Sequence, residues 1–197
     1  MNLESVKGRI KPLDERAMEL AQKKLNSLTK PLGSLGVLED IAKKLAGITG
    51  NPQPKIGKKT IIVMAGDHGV VEEGVSAYPQ EVTPQMVLNF LSGGAGINIL
   101  AKHVGAEVKV VDIGVAASLQ NSGLISRKIK AGTDNMTKGP AMTKEEAMSA
   151  IEAGIDIVES EIKNEATIIG TGEMGIGNTT PSSAITAIFG GVAVEDV

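Results

Sequence analysis

Cysteine and tryptophan are both absent from this 197-residue chain. Without cysteine there is neither a disulfide framework nor thiolate chemistry, and a zinc site would need other ligands. The only two histidines, His68 and His103, argue against a histidine-rich metal site, so no metal is expected. Aromatics are nearly missing as well: Tyr78, Phe90 and Phe189 are the whole set. With 20 Lys+Arg against 23 Asp+Glu the formal charge is −3, so no cationic field is available to hold a phosphate backbone and little is available to stack on bases. Nucleic acid is therefore not an expected partner. No apolar run approaches the ~18 residues that would span a bilayer. The first sixteen residues are polar and charged, without the apolar segment of a signal peptide. A soluble, cytoplasmic protein with no membrane partner is expected.

What is present is a large apolar fraction, 42% of residues, and an excess of glycine, 24 in all against the ~7% that is usual. The glycines follow no collagen period and form no low-complexity tract. They point to backbone brought close to a ligand or to other backbone.

Apolar residues recur at helical spacing over residues 14–28 and again over 35–48, with Thr29-Lys-Pro-Leu-Gly33 between them, so a helical hairpin is predicted. Ser34 is placed to cap the second helix and Gly50 to end it. Residues 51–59, with two prolines, read as a linker. The expected division is residues 1–57, a hairpin and linker belonging to a smaller helical domain, and residues 58–197, an α/β domain.

From Thr60 the pattern becomes β-branched apolar runs, at 60–65, 108–113 and 166–171, separated by helical stretches. One such stretch runs from a Thr83-Pro84 cap to about Lys102. Another starts at Thr143, which forms a capping box with Glu146. Leu124–Ala131 reads as a more exposed strand. Buried strands alternating with helices give a Rossmann-like, mostly parallel sheet with crossover helices. With so few strands the sheet is expected to be incomplete, the α/β domain being truncated at its C-terminus.

Ligands of such sheets bind beyond the carboxyl ends of the strands. Here each firm strand ends in glycine and an acid: Gly66-Asp67-His68, Asp112-Ile-Gly114, and the run Gly170-Thr-Gly172-Glu173-Met174-Gly175-Ile-Gly177-Asn178-Thr179-Thr180-Pro181. The Gly170-x-Gly172-x-x-Gly175 spacing is formally a dinucleotide fingerprint, but it sits on the wrong strand for one, and its helix starts late. What remains is a glycine loop opening a helix capped by Thr180, a place that suits phosphate or another anion. Glu173 stands outside any amphipathic pattern and is the candidate proton-accepting or substrate-orienting carboxylate. Asp67 and His68 are read as pocket wall or as support for it, because side chains adjacent in sequence seldom form a productive pair. His103, late in a helix, complements its C-terminal dipole. Tyr78 lies in a long loop, with Gln85, Met86 and Asn89 on the helix behind it. Glycines 93, 94 and 96 either break that helix or admit close packing.

Five motifs in order carry a resemblance: Thr29-Lys-Pro-Leu-Gly-Ser-Leu-Gly36; Ala65-Gly-Asp-His-Gly-Val70 with Val75-Ser-Ala-Tyr-Pro-Gln80; Val111-Asp-Ile-Gly114; Gly139-Pro-Ala-Met142; and Gly172-Glu-Met-Gly-Ile-Gly-Asn-Thr-Thr-Pro181. Together they closely resemble the nicotinate-nucleotide–dimethylbenzimidazole phosphoribosyltransferase family of the cobalamin lower-ligand pathway, in its N-terminal portion. The resemblance implies attack of a dimethylbenzimidazole nitrogen on the anomeric carbon of nicotinate mononucleotide, with inversion, giving α-ribazole phosphate and nicotinate. It implies no cofactor, no diphosphate and no magnesium, since the pyridinium leaving group is already activated. By the same resemblance Tyr78, Gln85 and Met86 form a wall of the base slot. The resemblance likewise makes Glu173 and its neighbours Gly172, Met174, Gly175, Gly177, Asn178, Thr179 and Thr180 part of the shared active site. Asp67 and His68 join them as substrate-binding candidates, and Glu173 is a catalytic candidate in its own right, not one matched to the family.

The family's general base is expected beyond Val197, so the 197-residue chain is expected to be catalytically crippled or to need the rest of the chain. A homodimer is expected from the family's habit. Two other readings stay open. One is a binding or assembly module without turnover; the other is the same transfer to a different azole, purine or phenolic acceptor.

Overall fold

The computed structural model describes residues 2–197. They fall into two compact units, Glu4–Ile56 and Gly57–Val197, the latter with Asn2 and Leu3. A short helix α1 spans Leu3–Lys7. The first unit is otherwise a hairpin of α2 (Glu15–Asn26) and α3 (Val37–Thr49). Asp14 caps α2 by accepting the N–H of Ala17 at 2.9 Å. Small residues, Ala17, Ala21 and Ala46, are buried where the two helices meet.

The expected cap of α3 is corrected. Ser34 lies in a turn, and the helix begins after Gly36, whose φ of +54° suits a residue without a side chain. The organising group is Glu39, buried in the first turn. It accepts from Leu35 N–H at 3.1 Å and from Lys30 Nζ at 2.8 Å. The Lys30 hydrogen bond above all holds the Glu39 carboxyl below its usual range. Gly50 ends α3 in the left-handed conformation, as its position predicts.

The second unit is α/β. Strands β1 (Lys58–Gly66), β2 (Ala106–Gly114), β3 (Leu124–Ser126) and β4 (Ala166–Met174) form one parallel sheet in the order β3-β2-β1-β4. A 3-10 turn (Gly69–Glu73), α4 (Val82–Leu91) and α5 (Gly96–His103) join β1 to β2. Helix α6 (Lys144–Lys163) leads into β4, and α7 (Thr179–Gly190) follows it. The expected Rossmann-like class holds. Neighbouring residues Val110 and Val111 face opposite sides, as strand geometry requires. Val110 packs with Ala65, Val87 of α4 and Val115. Val111 packs with Ile62 and Ile157 of α6. Helices α4 and α6 therefore cover opposite faces.

Three boundaries differ from the sequence reading. The stretch from Thr83 to Lys102 is two helices, broken at residues 92–95, where Gly93 turns to φ +79°. Thr83 does not cap α4 but lies fully buried inside it. The exposed strand at 124–131 stops at Ser126 because the chain then bends over the end of β2. There Ile129 and Gly132 donate to the carbonyls of Ile113 and Gly114. The Thr143–Glu146 capping box forms as predicted, at 2.8 and 3.1 Å.

Candidate active site

The carboxyl ends of β1 and β2 are level, with Ala65 opposite Asp112 and Gly66 opposite Gly114. On the other flank Ala65 pairs with Met174 at the end of β4. The chain order reverses between β1 and β4, which is where a crevice forms in such sheets.

Asp67 leaves β1 stitched on three sides. Its N–H donates to Gly114 O at 3.0 Å, its carbonyl accepts Thr133 N–H at 3.0 Å, and Oδ2 accepts Ala116 N–H at 2.8 Å. It is 2% exposed. At Gly69 a Cβ would stand 2.6 Å from the backbone of residues 133–135, so glycine lets that segment close on the end of β1.

His68 opens on a cavity of about 180 Å³, with Ile113, Ile129 and Ala150 among its apolar walls and Lys130 and Glu146 among its charged groups. A second cavity of about 260 Å³ adjoins it, sharing His68, Thr133 and Met142 and reaching Pro181 and Ile185 of α7. Burial pushes the His68 imidazole below 6.5, opposed by the charges of Glu173 and then Asp67. The ring is thus held toward its neutral form. Lys130 pairs with Asp134 and lies 3.9 Å from Glu146. The Asp134 hydrogen bond is the main reason its ammonium is held above its usual range.

Gly170 and Gly172 are not loop residues. They lie inside β4, where a Cβ would press to 3.3 Å on Ile61 and Val63. Glu173 is exposed near the strand end, and its carboxylate accepts from Asn178 Nδ2. Gly175 then packs so closely that a Cβ would meet the Gly66 carbonyl at 2.1 Å and His68 Nε2 at 2.7 Å. Ile176 N–H donates to Thr83 Oγ1 at 3.0 Å. Gly177 turns at φ +80° against Val71, and α7 starts after Asn178, ahead of the expected Thr180 cap. Thr179 and Thr180 lie in its first turn.

The fold thus gathers Asp67, His68, Glu173, Met174, Gly175 and Asn178 at one edge. Tyr78 is 66% exposed, Gln85 is exposed, and Met86 is half-buried against Asn89. None of those three lines either cavity described above. Sequence reasoning assigned no role to Lys130, Thr133 or Met142, which wall both cavities or one of them. Gly139-Pro-Ala-Met142 marked the region as a motif, but segment 127–142 has no periodicity from which a role could be read.

A parallel sheet whose strand ends border cavities, with glycine-tight packing at its reversal point, defines an α/β protein of Rossmann-like class. The family model described as Phosphoribosyltransferase matches residues 10–197, and the chain belongs to that family. It is 57% identical over 196 residues, 99% of its length and 56% of the relative's, to the nicotinate-nucleotide–dimethylbenzimidazole phosphoribosyltransferase of Geobacter sp. (strain M21). It is 54% identical over 190 residues to that of Halalkalibacterium halodurans, covering 96% of this chain and 53% of the relative. The crystal structure of CobT from Thermus thermophilus superposes with a TM-score of 0.87 at 48% identity, over 90% of this chain and 54% of that one. A second crystal structure, of the phosphoribosyltransferase of the same name from that organism, gives 0.89 at 48% identity over 91% and 55%. The chain therefore spans just over half the length of these relatives.

Proposed function

We propose that this polypeptide works in phosphoribosyl transfer from nicotinate mononucleotide to dimethylbenzimidazole, releasing nicotinate and forming α-ribazole phosphate. The observation that carries the reading is the β4–α7 turn. A carboxylate, Glu173, faces a helix N-terminus across Asn178, within electrostatic reach of a near-neutral His68. The relatives' shared name supplies the substrates.

In this reading the phosphate sits by the start of α7, where the helix dipole favours an anion. The Asn178 and Thr180 N–H groups are engaged by the Gly175 and Gly177 carbonyls and Pro181 has no N–H, so the dipole and the Thr179 and Thr180 hydroxyls, not a set of free amides, would hold it. The bicyclic base lies against Tyr78, Gln85 and Met86. A ring nitrogen forms a bond to the anomeric carbon as the bond to the pyridinium nitrogen breaks, and the bonding pair returns to the pyridine ring. The proton on the other ring nitrogen passes to a carboxylate, Glu173 being the candidate, a step worth typically 10²–10⁴-fold. Asp67 and His68 wall the site; Gly172 packs on Val63 within β4, and Gly175 and Gly177 let the β4–α7 turn close on Gly66, His68 and Val71 beside it. The protein is read as a cytoplasmic homodimer, the exposed Ile188 and Phe189 of α7 (77% and 88%) giving an apolar surface for association.

The test is incubation of the 197-residue chain with both substrates and chromatography of the products. Free nicotinate and α-ribazole phosphate, with most of the rate lost in Glu173→Gln, would place a complete site with Glu173 as its proton acceptor within these residues. A folded chain that forms neither product contradicts catalysis by Glu173. An unchanged rate in Glu173→Gln would assign the proton to another carboxylate.

A further inference from the structure

Buried polar atoms in folded proteins nearly always have a hydrogen-bond partner, and one that does not calls for an explanation. Here Oδ1 of Asp67 is buried and has none among the described residues. Rotation cannot relieve it, because Oδ2 is held by Ala116 N–H and the residue's own N–H and carbonyl are both bonded. The carboxylate is thus kept rigid with one acceptor oxygen unspent. Such a group costs free energy in the empty protein and recovers it when a donor arrives.

The position says where the donor comes from. Asp67 lines the 180 Å³ cavity on the α6 face. It also lines a separate cavity of about 170 Å³ formed with Gln80, Glu81, Pro84, Ala116 and Ala117, at the start of α4. Among the described residues it alone lines both. Asp67 thus borders two spaces at the carboxyl end of β1, with Oδ1 buried beside them. The side chains of both cavities leave Oδ1 unpaired: Lys130, the ammonium among their lining residues, is engaged by Asp134 and faces Glu146.

We infer that Asp67 Oδ1 accepts a hydrogen bond from an N–H or O–H donor carried in by substrate, which makes Asp67 a substrate-binding residue and not only a piece of wall. This deepens the proposed function and rests on it. Two substrate groups offer that chemistry. One is a ribose hydroxyl of the nucleotide, compatible with Glu173 as proton acceptor. The other is the single ring N–H of the azole base, which if it is the donor gives its proton to Asp67 in place of Glu173.

The experiment is a set of calorimetric titrations on wild type and Asp67→Asn. The amide can keep the Ala116 bond while turning an NH₂ toward the vacant acceptor position. The probes are dimethylbenzimidazole and its N-methyl derivative, then nicotinate mononucleotide and its 2′- and 3′-deoxy forms. Wild type is expected to lose about 10- to 100-fold in affinity for whichever analogue lacks the donor, the range for a hydrogen bond to a charged acceptor. Asp67→Asn is expected to bind that parent and analogue alike. The pair that shows this coupling identifies the donor as azole or ribose. Wild type binding every analogue as tightly as its parent overturns the inference, whether or not Asp67→Asn folds. Equal discrimination in Asp67→Asn and wild type overturns it as well. Wild type that binds neither parent contradicts the proposed function itself, and the inference falls with it.

Discussion

Ile176 and Thr83 lie 93 positions apart in the chain, yet the backbone N–H of the first donates to the buried hydroxyl of the second at 3.0 Å. That bond ties the β4–α7 turn to α4. It joins the turn to the helix that presents Gln85 and Met86, adding a direct link between the two proposed substrate walls to the glycine packing of the turn.

Replacing Thr83 with Val keeps the shape and removes the acceptor. The Ile176 N–H is then left without its partner, which costs about 1–3 kcal/mol. Chemical denaturation of Thr83→Val is expected to show that loss, together with weaker binding of nicotinate mononucleotide. Undiminished stability would mean that the turn is held by its glycine packing alone.

The glycines of the site differ sharply in what they tolerate. A Cβ at Gly175 would stand 2.1 Å from the Gly66 carbonyl, which is backbone and cannot swing aside, whereas one at Gly139 meets nothing within 4 Å. Gly175→Ala is expected to cost roughly 3 kcal/mol through overpacking. Gly139→Ala, exposed and unstrained, should change stability by no more than ~0.5 kcal/mol. Paired melts of the two variants check the contrast.

His68 makes stability depend on pH in a defined direction. Burial lowers its pKa from the unfolded 6.5, so the unfolded chain takes up a proton first as pH falls. Its contribution is therefore undiminished above about 6.5 and is lost as pH drops toward the folded value. A denaturation series from pH 7.5 down to about 5.5 should show the decline, and His68→Gln should flatten it. Because the Glu173 charge opposes the shift, Glu173→Gln is expected to push the imidazole lower still, read directly by NMR titration. An unmoved His68 resonance would separate the two side chains.

The scaffold was legible where one local rule acts alone. The β-branched runs became β1, β2 and β4, and Thr143 with Glu146 formed its capping box because both partners lie within one turn. The site was legible as a set of strand ends but not in detail. Gly170 and Gly172 read as loop, although they serve β4 by letting Ile61 and Val63 pack close, a partner choice made across the sheet. Thr83 read as a cap, since nothing nearby in sequence reveals that its hydroxyl serves Ile176. Ser34 read as the cap of α3, whereas the helix start is organised by Glu39 and Lys30, nine positions apart. Lys130 and Thr133 stayed hidden because segment 127–135 takes its shape from β2 carbonyls and from Asp67, not from a period of its own.

The proposed function stands or falls on the nucleotide sitting at the β4–α7 turn. The most direct measurement is an amide ¹H–¹⁵N correlation spectrum of the 197-residue chain titrated with nicotinate mononucleotide. Saturable shifts are expected for Gly175, Gly177, Asn178, Thr179 and Thr180, spreading to His68, while the α2–α3 hairpin resonances stay in place. Shifts absent from that turn, or confined to another surface, would contradict the proposal.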